Sequence, residues 1–400
     1  METTRKGPSG ERLDTPRRPA RGSGRNEGNP RPAGRVPVAW RVPVLLAGGF
    51  ALVAGLYAGV LLLSVPVPAP TVALEQVHGP VMVFGFVGTL IGLERAVALG
   101  ARWALLGPAC SGAGAIGLVV AGPGAAGHGL LMLAAVILVG VYRALWRRQP
   151  SVALLAQAAG AFAWYATTLL WLAGFTVAET VPWLAVFVVA TIAGERLELA
   201  HVALRDPNAP RLFLAAVLTL VVGAAGSTAV PVAGAHLFGF GLLAVTAWLV
   251  VYDVARRLVR SSGLPRYIAV GLLAGYAWLA LAGLLWAGGG LVLDGPRYDT
   301  VLHAVFLGFT MSMIFVHAPV ILPAVLRRPL PYHRLLYAPL VLLHLSLLIR
   351  IGFGDGAGWE PVWRWAGLAN VAAVVGFAGC AIALSVVAQP EVRSTVRVAS

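Results

Sequence analysis

With 400 residues, 58% hydrophobic and only 12% charged, and a mean hydropathy of +0.82, this chain falls outside the soluble globular class, whose members run ~25% charged. A net charge of +14 would suit a nucleic-acid binder if it formed one patch. The arginines instead lie in the N-terminal tail and in alternate loops, so no nucleic-acid partner is expected. The two cysteines, Cys110 and Cys380, both sit in apolar stretches, which leaves neither a disulfide framework nor a CxxC metal site.

Residues 1–43 are rich in Arg, Pro, Gly and Ser without apolar periodicity, and are expected to form a disordered basic cytoplasmic tail. From Val44 to about residue 390 the pattern predicts a transmembrane helical bundle of about twelve spans, followed by a short cytoplasmic tail at 391–400. The spans are roughly 44–65, 77–99, 103–122, 128–146, 152–174, 181–203, 212–231, 235–255, 267–288, 299–325, 334–352 and 363–388. Loops on the side of the N-terminus carry Arg143, Arg147, Arg148, Arg256, Arg257, Arg327 and Arg328, whereas the opposite loops carry Glu75, Glu179, Asp294, Asp299, Asp355 and Glu360. Positive loops stay in the cytoplasm, so both termini are expected there. The fold class that follows is all-α, a polytopic bundle partnered by the lipid bilayer, in the inner (plasma) membrane of a bacterium. Small residues at helix spacing, Gly85, Gly88 and Gly92 or Gly234, Gly239 and Gly241, predict close helix approach.

The segment Tyr298–Arg328 is the most informative. It carries His303 and His317, fourteen residues apart, hence on one side of a straight helix but ~21 Å apart along its axis, too far to share a metal ion. Ionisable groups within a membrane helix usually mark a ligand or an ion path. With the orientation above, His78, His128, His236 and His303 open spans at the outer face, and His344 lies near mid-depth. His201, His317 and His333 belong to the inner half. A layer of histidines across several helices is a candidate metal or haem site, with His128, His236 and His344 as metal-ligand candidates. For His128 and His236 simple solvation is the competing explanation; for His344, among leucines, a buried hydrogen-bond partner is required.

At the inner side, span 2 ends Gly-Leu-Glu-Arg and span 6 ends Gly-Glu-Arg-Leu-Glu. Glu195, Glu198 and His201 share a helix face. Together with Glu94 and His317 they are candidates for a proton or cation path, against the alternative of local ion pairs with Arg95 and Arg196. Asp253 is expected to pair with Arg256 near the interface.

The stretch from His78 through GFVGTL, together with LHAVFLGFTMSMIF around His303, resembles subunit I of the haem–copper oxidases. It is more closely similar to the NnrS family of haem- and copper-containing membrane proteins linked to nitric oxide metabolism. That resemblance implies bis-His ligation of a haem by His78 and His303 near the outer face, copper as a further candidate cofactor, and nitric oxide or a redox protein as partner. It also places Arg350 where haem propionates would emerge, with an ion pair to Asp355 as the alternative. Span 10 has no His-x-His, no His-His pair occurs, and span 6 carries no His before a Tyr, so oxidase activity is not expected and no catalytic residue is assigned. Competing functional classes are a secondary transporter, with Pro319 and Pro323 breaking span 10, and a non-catalytic assembly subunit.

Overall fold

A computed structural model describes residues 2–4, 36–68, 70–200 and 204–398, with side chains through Ala388. Among them there is no strand, and the chain forms twelve long helices. In order they are α1 (Val38–Leu62), α2 (Leu74–Leu99), α3 (Arg102–Ala121), α4 (Ala125–Arg148), α5 (Val152–Leu172), α6 (Val181–Ala200), α7 (Ala209–Ala229), α8 (Pro231–Tyr252), α9 (Gly263–Gly289), α10 (Gly295–Leu326), α11 (Arg334–Asp355) and α12 (Glu360–Val398). Eleven are long and apolar enough to cross a membrane, and the chain is a multi-pass membrane protein on that ground. The twelfth, α6, carries Glu195, Arg196 and Glu198 in its last turns. It is also the central helix: every residue from Val181 to Gly194 is buried, whereas α1 and α12 turn Leu46, Val53, Trp365, Ile382 and Val387 outward. Apolar side chains on the perimeter and charge inside suit a lipid surround.

Neighbouring helices pack as hairpins, most extensively α7 on α8, α5 on α6, α9 on α8 and α3 on α4. Two glycine contacts show why small residues are needed. A Cβ at Gly234 would stand 2.0 Å from the α7 backbone at Gly226 and Ser227, and one at Gly239 would stand 2.2 Å from the α9 backbone at Ala287. Gly234, Gly239 and Gly241 thus let helices approach against main chain, which cannot step aside, whereas Gly85, Gly88 and Gly92 make room for the side chains of Ala115, Trp164 and Pro108.

Two boundaries differ from those read in the sequence. The first helix begins at Val38 rather than near 44 because Val36 and Arg41 are buried against the end of α10. The rest of the tail expected at 1–43 lies, apart from residues 2–4, outside the described residues. The last helix continues to Val398, through most of the tail expected at 391–400.

Three helices contain wide π turns, at Val81–Gly88 of α2, Ala304–Met311 of α10 and Arg350–Asp355 of α11. Such turns are rare and cluster at functional sites. They also change the helical phase, so the one-face relation of His303 and His317, which assumed a straight helix, does not carry over.

Candidate functional site

Polar side chains gather at two levels. At the predicted outer end, the π turns of α2, α10 and α11 start within a few residues of His78, His303 and Arg350 respectively. The His78 ring lies against Gly59 of α1, whose missing Cβ would stand 3.3 Å from it, and its Nδ1 is 2.8 Å from the Gly55 carbonyl oxygen. The His303 Nδ1 is 2.9 Å from the Asp299 carbonyl oxygen one turn back and 3.2 Å from the Asp299 carboxylate. Neither Nε2 has a hydrogen-bond partner among the described residues. His78 lies within electrostatic reach of His303, Asp299 and Arg350, and no hydrogen bond joins it to them among the described residues.

Arg350 is committed elsewhere. Its Nε and terminal nitrogen donate to the two oxygens of Asp299 at 2.9 and 2.7 Å, and its guanidinium lies 5.0 Å from the Trp363 ring centroid. Trp363 Nε1 donates to the same carboxylate at 3.2 Å. The ion-pair partner of Arg350 is thus Asp299 rather than Asp355, which accepts from Thr300 Oγ1 at 2.9 Å.

At the predicted inner end, α2 and α6 bring their Glu-Arg pairs together. Arg95 lies 2.7 Å from Glu94, 3.1 Å from Glu195 and 3.9 Å from Glu198. Gln157 of α5 donates to Glu198 at 3.3 Å. Arg196 turns the other way and donates to both oxygens of Asp253 at 2.6 and 2.9 Å. Tyr276 OH and the Ala255 N–H complete that carboxylate at 2.8 Å each. Asp253 is therefore a deeply buried partner of Arg196, not an interfacial partner of Arg256. A further Arg196 nitrogen lies 3.2 Å from His317 Nε2, and His317 Nδ1 lies 2.8 Å from the Met313 carbonyl oxygen. With one nitrogen accepting from an arginine, His317 is held as a neutral ring that orients Arg196; a second proton would have to displace that contact. His201 lies outside the described residues.

Between α1, α2, α6, α10 and α12 at this level lies a cavity of about 480 Å³. Glu94, Arg95, Glu195, Glu198, Arg196 and His317 form its polar wall, so four of the five residues predicted for a proton or cation path border one space.

The three metal-ligand candidates do not converge. His128 packs on the Trp171 ring at 5.3 Å between centroids. His236 Nδ1 lies 2.8 Å from the Ala287 carbonyl oxygen. His344 has both nitrogens in use, accepting from Trp278 Nε1 at 2.9 Å and lying 3.3 Å from Ser312 Oγ. That supplies the partner its depth demanded. Among the described residues no three His, Cys, Asp or Glu side chains form a group able to hold a metal ion, which corrects the grouping of His128, His236 and His344 as one metal set.

Sequence reasoning passed over Asp299, Trp363, Asp253, Tyr276 and Gln157 as site residues. Asp299 carried a signal, since it lies one helical turn before His303. The others come from distant helices and carried none.

These features define a helical membrane protein with two separate polar centres, one formed around α2, α10 and α11, the other around α2 and α6. The chain belongs to a family described as a domain of unknown function, DUF8744, whose family model matches residues 41–386, from within α1 to α12. No curated protein and no solved structure matches it.

Proposed function

We propose that this chain is a multi-pass protein of a bacterial inner membrane, with both termini in the cytoplasm, that binds haem through His78 and His303 and takes part in nitric oxide or respiratory redox metabolism, as its resemblance to the NnrS family implies. One observation carries the reading. Two imidazoles, from α2 and α10, each have Nδ1 fixed by its own oxygen acceptor and Nε2 left over. Histidines that ligate metals are oriented in this way, because the second-shell acceptor sets the tautomer and raises the basicity of the free nitrogen. The donor set therefore fits a haem iron with two axial imidazoles.

Bound there, haem would supply one-electron chemistry at a potential tuned by its surroundings. The protein's own contribution can be followed residue by residue. The Gly55 carbonyl orients His78, and the Asp299 carbonyl and carboxylate orient His303. Arg350 and Trp363 in turn hold Asp299. Arg350 thus positions a histidine at second hand. Copper is left out of the proposal because the remaining histidines are dispersed.

Optical spectra of the full chain purified from haem-replete cells test the reading. The expected result is a Soret band that His78→Ala and His303→Ala each abolish or shift, while His333→Ala, at an exposed position outside the cluster, leaves it unchanged. Wild-type protein without a Soret band would sink the reading.

A further inference from the structure

The inner cavity has a charge imbalance that its own residues do not resolve. Arg196 is matched by Asp253, which leaves Arg95 alone among Glu94, Glu195 and Glu198. Glu195 Oε1 is shut off from solvent yet receives no aligned hydrogen bond, and Arg95 Nε is likewise enclosed and unpartnered. The His317 ring is occupied by Met313 and Arg196 and adds no compensating charge. One cation therefore faces two largely buried carboxylates, Glu94 and Glu195, with the exposed Glu198 3.9 Å away, and a cation from outside the chain would offset this excess of negative charge at the cavity wall.

The other walls say what kind of cation. They are carbon surfaces from Phe86, Leu90, Ile314, Phe315 and Phe377, with Phe315 and Phe377 stacked at 4.0 Å. A small inorganic ion would satisfy the carboxylates and leave this surface uncovered. A neutral or anionic amphiphile would cover the surface and leave or worsen that excess. Aromatic faces beside carboxylates favour a cation with an apolar body. The volume of about 480 Å³ lies within the ~300–1,000 Å³ of small-molecule sites. Access is lateral, since the cavity is bordered by Leu199, Val320 and Ile382, all exposed on the perimeter.

The geometry points to a binding site for a lipophilic organic cation, reached from the bilayer, with its charge against Glu94 and Glu195 and its apolar body between α2, α10 and α12. This site is separate from the haem cluster, and its test needs no haem.

The experiment uses the full chain in detergent and tetraphenylphosphonium as the probe, with tetraphenylborate as its counterpart of opposite charge and matching shape. The expected result is saturable binding of one tetraphenylphosphonium per chain, weakened about tenfold or more by Glu94→Gln or Glu195→Gln, as loss of a close charge in a low-dielectric site implies. Ala378→Phe, which fills the cavity wall from a half-buried position and changes no charge, should weaken it as well and covers the case in which a carboxylate variant fails to fold. Glu360→Gln, in an exposed pair with Arg364 on α12, should leave it unchanged. Absence of saturable binding overturns the proposal. So does tetraphenylborate binding equally well, affinity indifferent to all three cavity variants, or a co-purified neutral or anionic lipid that the cation does not displace.

Discussion

Arg196 on α6 grips Asp253 at the end of α8 by both oxygens, with their side chains 5% and 1% exposed. The pair is 57 residues apart in sequence and joins the central helix to the α8–α9 connection. A buried ion pair adds little net stability over an apolar pair, but removing one partner strands the other. Asp253→Asn and Arg196→Met should each destabilise the protein by about 3–5 kcal/mol, and the double variant by less than their sum. Thermal unfolding in detergent across the four-member cycle reads this directly, and strict additivity would contradict it.

Tyr276→Phe removes one of the four donors to that carboxylate and should cost about 1.5–3 kcal/mol, as for a hydrogen bond to a charged group. The same unfolding assay checks it, and a neutral result would mean that water replaces the hydroxyl.

Arg41 ties the start of α1 to the end of α10. It donates to Val325 O at 2.8 Å and Ala324 O at 3.3 Å, while its other edge holds the Val36 carbonyl. The final carbonyls of a helix lack intrahelical partners and carry partial negative charge. Arg41→Met should therefore speed hydrogen exchange around residues 327–328 and lower stability by about 2 kcal/mol. Unchanged exchange there would show that the contact restrains nothing.

Gly234→Ala should be among the most damaging methyl-sized changes, since the new carbon would stand 2.0 Å from the α7 backbone. The helices would have to part, at a cost of about 3 kcal/mol or more. Gly129→Ala, where a Cβ meets nothing within 4 Å, is the matched control and should be neutral or slightly stabilising. Comparable melting of the two variants would contradict the packing argument.

Arg350→Lys keeps the charge but not the fork. Because Arg350 donates two parallel bonds to Asp299 and lies over Trp363, lysine should not substitute for it. A loss of about 1–3 kcal/mol is expected. Stability equal to wild type in the unfolding assay would reduce the interaction to simple charge pairing.

Hydropathy made the helices legible because eleven are apolar along their own length and α6 is apolar up to Gly194, and that is a property of local sequence. The inner carboxylates were legible too, since charge inside an apolar span stands out at once. Partner choice was not. Which carboxylate meets Arg196 depends on how α6 and α8 sit in space, and the nearer Arg256 made a plausible decoy for Asp253. Arg350 was misplaced for a similar reason: Asp355 is five residues away, but the π turn and the packing of α10 put Asp299 opposite its edge. The phase argument linking His303 to His317 failed because nothing in periodicity announces a π turn.

The placement of α6 has a consequence for biogenesis. A helix that ends in Glu-Arg-Leu-Glu is a poor substrate for insertion on its own, because each central charge disfavours the membrane by about 2.5–3.5 kcal/mol, less near an end. Yet α6 occupies the middle of the finished bundle, where Arg95 arrives from α2, Gln157 from α5 and Asp253 from beyond α8. Two of these partners precede α6 in synthesis and one follows it. Arg196 therefore finds its carboxylate only once the turn behind α8 has been made, so the order of translation becomes part of how this interior is assembled.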